Sequence, residues 1–553
     1  MKNYGNKLDL GLILTIALTL LASLHLAVFQ KINWDEFYYL SQIHDYGRGT
    51  FSTALQTIHV HFGLSLTTTD LNEVDQVVIG RLVMWLALVG TVTAIYVTAR
   101  AFFSRSCALF AGLVYLSFNY TLVHGTSFRT DPSAAFLIMT CLAIAIRAPL
   151  GVWAILGFSV CAALSALITV KVVFYLPAFL AAILWRLSTE PRKAPVLMAI
   201  LAMLAISAML FGLGYNWHQS TLADAGLAGS KAMLSNAANT TLMPSILFPR
   251  WPYILHNTYA SLAPSVIVLV GALLLLIKGK HLTGHGLAAV VVLGLALPLA
   301  SFAIYRNAFP YYFPFIFPPA MILSAAVFEA AKSRVPLLAG LIVACLFTSG
   351  SSWVDRLSAS KHPQAVVLDA VHEVFPEPVA YIDRNGSIAR FPKAGFFMST
   401  WGVLNYRNAG VPVLSQAINS QTIPLLLLNS PQLEHAVSPE TSMTRTPLFE
   451  LDREALKSNF IPHWGPIWVA GKTLMATPQA QVITLRTLGT YTLEASMPIS
   501  VNGTLLGPGA SITVTNAPMS IQSNVAQEIT LRWGKDLVVP QTAVPQQAFF
   551  TEF

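Results

Sequence analysis

The sequence predicts a polytopic α-helical membrane protein of about eleven spans, followed by a C-terminal extracytoplasmic domain of α/β plus β-rich character. Three observations carry that expectation. Of 553 residues, 55% are hydrophobic and 10% are Asp, Glu, Lys or Arg, against roughly 25% charged in an ordinary soluble domain. The mean hydropathy of +0.61 also excludes a disordered chain. Apolar runs of the kind needed to cross about 30 Å of hydrocarbon recur from Leu10 to Gly350, and after Ser351 the composition turns to a soluble type.

In chain order the runs fall at about 10–29, 79–99, 106–123, 132–146, 151–168, 172–185, 195–214, 256–277, 283–304, 311–331 and 336–350. Several are short enough to be tilted or re-entrant. Residues 1–30 have the basic start of a signal peptide, but the run exceeds a usual signal core and an acidic pair follows it directly, so an uncleaved first span is expected. Lys2 and Lys7, Arg100 and Arg105, Arg147, Arg186 with Arg192 and Lys193, Lys278 and Lys280, and Lys332 with Arg334 all fall on one side of this alternation. That side is expected to be cytoplasmic. Residues 30–78, 124–131, 215–255, 305–310 and everything after about 351 then face outward, with the N-terminus inside. The formal charge of +8 reads as these basic loops, with no nucleic-acid partner.

Two domains follow: a membrane module at 1–350 and a soluble domain at 351–553. Within the latter, PVAYID (378–383) and IPLLLLN (423–429) suggest mixed α and β structure up to about 480, and QVITLRTLG, YTLEA, SITVT and EITLRW suggest short strands after Gln481. Cys107, Cys141, Cys161 and Cys345 all lie in apolar runs, without the spacing of a disulfide framework or a zinc site.

Five segments contain residues suited to chemistry. In NWDEFYYL (33–40), Asp35 and Glu36 stand at the membrane surface as a general-base candidate, or as a solvated helix cap beside an aromatic belt. In SFRTDPSAAF (127–136), Asp131 before Pro132 suits a helix cap and Arg129 suits phosphate. Lys171 interrupts the apolar run ITVKVVFYLP (168–177); an ionisable group there either faces a polar cavity or snorkels to the interface. RNAFPYYFPFIFPPA (306–320) offers Arg306, Tyr311 and Tyr312 as phosphate contacts, or as an aromatic belt with a loop arginine. In IHVHFG (58–63), His59 and His61 precede Asp70, Glu73 and Asp75; their spacing is too loose to diagnose a metal site with Asp35 or Asp131. No nucleotide-binding or hydrolase motif has a suitable context.

The order of these segments resembles the GT-C superfamily of membrane glycosyltransferases, which includes protein O-mannosyltransferases and bacterial lipid A aminoarabinose transferases. NWDEFYYL resembles its acidic motif after the first span. GRLVMWLALVGTVTAIYVTARAFFS (80–104), entered by Arg81, resembles its second span. SFRTDPSAAF resembles its Asp-containing loop, and RNAFPYYFPFIFPPA its late Tyr-Tyr-Pro segment. The likeness covers about residues 10–350; the C-terminal domain matches only in placement. The resemblance implies that Asp35, with Glu36 beside it, activates or positions the acceptor, and that Asp131 is a second site acid. It further implies that Lys171, Arg306 and Tyr311 or Tyr312 face the lipid phosphate. HVHFG departs from the Lys-Pro-Pro or His-Pro-Pro element of relatives, so His59 and His61, like Arg81, remain substrate-contact candidates only.

The expected function is transfer of a single sugar from a polyprenyl-phosphate donor to a lipid, glycan or protein acceptor, by an inverting, metal-independent route without a cofactor. The expected place is the outer face of the bacterial cytoplasmic membrane. The absence of the WWD element of oligosaccharyltransferases argues for one sugar and not a preassembled glycan. A transporter or flippase of a lipid-linked substrate, and a membrane-anchored binding protein, are the competing classes; a transporter needs polar groups through the midplane and at both faces.

Overall fold

The computed structural model describes residues 2–223, 246–440, 444–515 and 517–546. Part of the expected outer loop 215–255 and the last residues of the expected C-terminal domain lie outside the described residues. The chain forms two compact units. The first comprises Met1–Gln30, Tyr46–Leu66 and Val78–Ser360, and the second Lys31–Asp45, Thr67–Val77 and Lys361–Phe553.

The first unit is a helical membrane bundle. Among the described residues, eight helices are long and apolar enough to cross a membrane: Asn6–Phe29, Glu73–Ala99, Thr130–Arg147, Val170–Thr189, Lys193–Ser220, Leu262–Thr283, Gly286–Ala303 and Val335–Arg356. Arg105–Leu116, Val152–Ile168 and Pro318–Ala330 are shorter apolar helices. Each of the eleven expected runs therefore carries helix, but not all are simple spans: the sixth opens with a 3₁₀ turn, Val170–Tyr175, and the ninth ends in one, Leu297–Ala303. The third stops at Leu116 and restarts as Asn119–His124. The eighth begins at Leu262, because Ser261 (φ −129°, ψ 45°) separates it from the helix Trp251–Ala260. The tenth breaks into Tyr312–Ile316, a 3₁₀ turn Pro318–Leu323 and Ser324–Ala330, since each proline removes a helix donor and clashes with the preceding turn.

Close approach holds this broken segment in the bundle. A Cβ on Gly271 would lie 2.2 Å from the carbonyl oxygen of Leu323, so the helix Leu262–Thr283 meets backbone with only a hydrogen between them. Gly271→Ala is expected to destabilise the protein by about 1–3 kcal/mol, read as a lower melting temperature in detergent.

The second unit carries all eleven described strands: β1 (Tyr381–Ile382), β2 (Leu425–Leu427), β3 (Phe460–Trp464), β4 (Ile467–Ala476), β5 (Gln481–Ile483), β6 (Gly489–Glu494), β7 (Ile499–Val501), β8 (Thr504–Leu506), β9 (Ser511–Val514), β10 (Met519–Gln522) and β11 (Gln527–Trp533). A seven-stranded sheet runs β1-β2-β4-β11-β6-β9 with β3 also on β4, and a four-stranded sheet runs β5-β10-β7-β8. Among the described strands, β1 and β2 alone pair in parallel with each other, and Tyr381 of β1 also makes an isolated parallel bridge to Lys393. Helices such as Thr400–Ala409 and Glu450–Asn459 bury Val403, Tyr406 and Leu456 in a core with Leu426 of β2. The later strands close a second core around Tyr491, Leu493, Ile521 and Leu531, with the period-two burial that β9 shows. Mixed α and β structure followed by a β unit thus occurs as expected. The helix Val335–Arg356 runs past residue 350, and this second unit also takes in two stretches of the first outer loop, Lys31–Asp45 and Thr67–Val77.

Those stretches are held by specific bonds. The Gln364 side chain accepts from Ile32 N at 2.7 Å and donates to Ile32 O at 2.8 Å, copying a strand pairing. Glu73, fully buried, accepts from His372 Nε2 at 2.8 Å and from Arg390 N at 3.3 Å. Asp75 pairs with Lys361 at 2.9 Å.

Candidate active site

In the first unit the site is built from helix starts. Arg129 is the N-cap of the helix Thr130–Arg147 and Asp131 lies in its first turn, where the helix dipole favours a carboxylate. Asp131 is therefore not the cap residue. Its carboxylate, 1% exposed, accepts from the Lys171 ammonium and lies 3.5 Å from Arg129 Nε. Lys171 lies in the 3₁₀ turn Val170–Tyr175, whose Thr169 cap accepts from Lys171 N, and it is buried; the snorkelling alternative does not hold.

Gln56 anchors that turn from the first loop. Its Oε1 accepts from Thr169 Oγ1 at 3.1 Å and Val170 N at 3.2 Å. Gln56 has a φ of 63°, a conformation costly for a residue with a Cβ and retained where surrounding contacts fix it. No sequence motif marks this residue.

A row of cations and rings extends from Lys171. The Arg129 guanidinium lies 3.5 Å from the Tyr311 ring centroid, and Lys171 Nζ lies 5.6 Å from the same ring. The Tyr311 and Phe309 centroids are 5.9 Å apart. Arg250 sits 4.2 Å over Phe309 and donates from Nε to the Arg306 carbonyl at 3.1 Å. Lys171, held by Asp131, is thus linked through aromatic faces to Arg250, which reaches Arg306 through the backbone carbonyl of Arg306. Arg250, which sequence reasoning missed, stands between prolines in FPRWP on the expected outer side. Arg129, Lys171, Arg250 and Arg306 outnumber the one carboxylate in this row, Asp131, so the row favours an anion.

Three other candidates take structural places. Tyr312 is fully buried and shares a 2.7 Å hydrogen bond with Ser301, inside an aromatic cluster with Phe302 and Tyr305; the backbone turn that leaves Tyr311 half-buried aims its neighbour inward. Arg81 donates to the carbonyls of Ala27 and Gln30 at 3.3 and 2.8 Å, satisfying the C-terminal end of the first helix. His61 Nε2 lies 2.8 Å from His218 Nδ1 and stacks on Trp217 at 4.2 Å; His218 Nε2 lies 2.8 Å from Thr57 Oγ1. Among the described residues no group of three or more His, Cys, Asp or Glu is arranged to hold a metal.

Burial, aided by the charge repulsion of His218 and His61, holds the His59 imidazole at about 3, below its ordinary 6.5. Below pH 6.5 the unfolded chain takes up a proton that folded His59 refuses until near pH 3, so this contribution to stability is lost as pH falls through that window. Melting temperatures measured from pH 7 to 4 are expected to fall less steeply in His59→Asn than in the natural chain.

In the second unit, Asp35 and Glu36 open the helix Trp34–Gly47. Asn33 Oδ1 accepts from Asp35 N at 3.0 Å, and Glu36 Oε2 reaches back to Asn33 N at 2.9 Å, a capping box with Asn as the cap. Glu36, wholly buried, is therefore engaged in holding the turn. Asp35 is 9% exposed, so the expected cap exists but is not solvated. The Trp34 carbonyl accepts from Asn385 Nδ2 at 3.1 Å, the Trp34 ring lies 5.5 Å from the Arg384 guanidinium, and Tyr38 stacks on Phe397 at 3.9 Å. Burial raises the Tyr38 phenol above its ordinary value, and the Asp35 and Asp45 carboxylates add to the rise against a hydrogen bond with Gln42.

A multi-pass helical bundle followed in sequence by a β-containing unit has the fold of the GT-C membrane glycosyltransferases. Solved structures similar to it include the apo oligosaccharyltransferase of Archaeoglobus fulgidus, with a TM-score of 0.57 at 10% identity over 96% of this chain and 95% of that one. The AglB oligosaccharyltransferase of the same organism, in complex with an inhibitory peptide and a dolichol-phosphate, gives 0.51 at 11% identity over 92% and 74%. ArnT from Cupriavidus metallidurans, bound to undecaprenyl phosphate, gives 0.50 at 14% identity over 78% and 95%. No family model matches the sequence, and no curated protein is matched by it.

Proposed function

We propose that this protein is a glycosyltransferase that moves a single sugar from a polyprenyl-phosphate donor to an acceptor at the outer face of the bacterial cytoplasmic membrane, inverting the transferred centre without a metal. The observation that carries the proposal is the row of Arg129, Lys171 and Arg250 around Tyr311 and Phe309, with Arg306 joined to it through its carbonyl, set at the ends of apolar helices. It suits a phosphate whose lipid tail lies in the membrane. A poorly solvated leaving phosphate is stabilised most by cations already in place. Lys171, Arg129 and Arg306 bind the donor phosphate, Tyr311 flanks it, and Asp35 accepts the proton of the acceptor hydroxyl. Basic residues at the opposite helix ends support an N-terminus inside and a second unit outside.

The solved complexes of AglB with a dolichol-phosphate and of ArnT with undecaprenyl phosphate support a lipid-phosphate donor for the same fold. The missing WWD element supports one sugar over a preassembled glycan. A transporter is disfavoured because the cation row lies at one end of the spans. The test supplies the full chain in vesicles with undecaprenyl-phosphate-linked single sugars and cell-envelope acceptors. Release of undecaprenyl phosphate with a glycosylated product supports the reading; passage of the donor across the bilayer without release overturns it. Loss of activity in a chelator with rescue by a divalent ion would overturn the metal-independent route.

A further inference from the structure

Between the helices Leu262–Thr283 and Val335–Arg356 lies a groove of about 660 Å³, whose lining shares no residue with the cation row. Leu262, Val266, Leu341 and Phe347 make one stretch of its wall, and Asn119, Tyr259, Ser352 and Asp355 its polar end. No lysine or arginine lines it. Arg356, outside the lining, interacts with Tyr120 and Asp355. A second groove of about 410 Å³, beside Gly90 and Phe136, has the opposite character, with Arg147 in its lining and no acid.

The polar end is short of donors. Asn119 is 6% exposed. Its Nδ2 donates to Ser352 Oγ at 3.0 Å, but Oδ1 is out of solvent contact and accepts nothing. Such a buried carbonyl oxygen is costly until a donor reaches it. Asp355 adds a second acceptor and repels a phosphate. Tyr259, 83% exposed, presents a ring face of the kind that packs on the C–H face of a sugar. An amide, a carboxylate and an aromatic ring at the mouth of an aliphatic groove suit hydroxyl donors above an acyl chain.

We propose that this groove binds a membrane glycolipid with an uncharged sugar headgroup, whose hydroxyls donate to Asn119 Oδ1 and Asp355 and whose acyl chain lies along Leu262, Val266, Leu341 and Phe347. The site stands apart from the proposed donor chemistry, and binding is measured without turnover. Native mass spectrometry of the full chain, released from a polyoxyethylene detergent, is titrated with glucosyl diacylglycerol or with dioleoylphosphatidylglycerol. The expected result is half-saturation by the glycolipid at about tenfold lower concentration. Asp355→Asn, which keeps size and hydrogen-bonding capacity, is expected to let phosphatidylglycerol bind more nearly as well, and Ala344→Trp, which fills the groove, to abolish the preference. Equal binding of the two lipids to the natural chain, or a preference unchanged by Ala344→Trp, would show an annular lipid belt only and overturn the proposal.

Discussion

Lys171→Ala is expected to destabilise the protein by about 3 kcal/mol or more, because it leaves the Asp131 carboxylate buried with only the longer Arg129 contact. The two side chains are 10% and 2% exposed, so water cannot replace the lost ammonium without opening the bundle. Asp131→Asn alone leaves Lys171 buried without its counter-ion and is expected to cost a similar amount. Combining the two changes removes both charges, and the double variant is expected to melt well above the sum of the single losses. Strict additivity of the melting shifts in detergent would show that the pair contributes no coupling. The same cycle, read as binding of the proposed donor, reports how far Asp131 holds Lys171 in place for its phosphate.

Asp35→Asn is expected to lower turnover by roughly 10² or more with the melting temperature nearly unchanged, the range of a general-base contribution. The local structure supports the separation of effects. The helix start is capped by Asn33 and Glu36, and the cap bond to Asn33 uses the Asp35 backbone N–H, which asparagine retains. Donor affinity, measured apart from turnover, is expected to stay constant. Glu36→Gln keeps an acceptor for the Asn33 N–H and is expected to retain most activity. Retained turnover in Asp35→Asn would remove Asp35 from the base role.

The spans were legible because membrane crossing imposes a long apolar run, and the strands of the second unit because alternation and turn residues mark them. Asp131 and Lys171 were each visible as an ionisable residue beside apolar sequence, a placement that demands a partner. Their pairing with each other was not, since 40 residues separate them and spacing along the chain does not encode a contact between helix starts. Tyr311 and Tyr312 are adjacent and chemically identical, so only the local turn tells which one faces the cations. Gln56 and Arg250 were missed for a related reason: each works through a backbone carbonyl, a loop conformation or a ring face that no motif records. Glu73 and Asp75 follow the loop histidines in sequence, and in the fold they are taken up by His372 and Lys361.

The second unit is assembled from pieces made far apart in time. Residues 31–45 and 67–77 leave the ribosome early, while their partners Gln364, His372, Asn385 and Arg390 follow some 300 residues later. At synthesis rates of roughly 5–20 residues per second, the Trp34 helix waits tens of seconds for the groups that bury it. Contacts of such separation form slowly. Assembly of the segment bearing Asp35 therefore has to come after synthesis of the last membrane helix, so a chain stalled or cut before residue 361 carries the acid without the scaffold that orders it. Order in such a chain becomes a matter of completion: the membrane receives a bundle first and a folded second unit only when the final third of the polypeptide arrives.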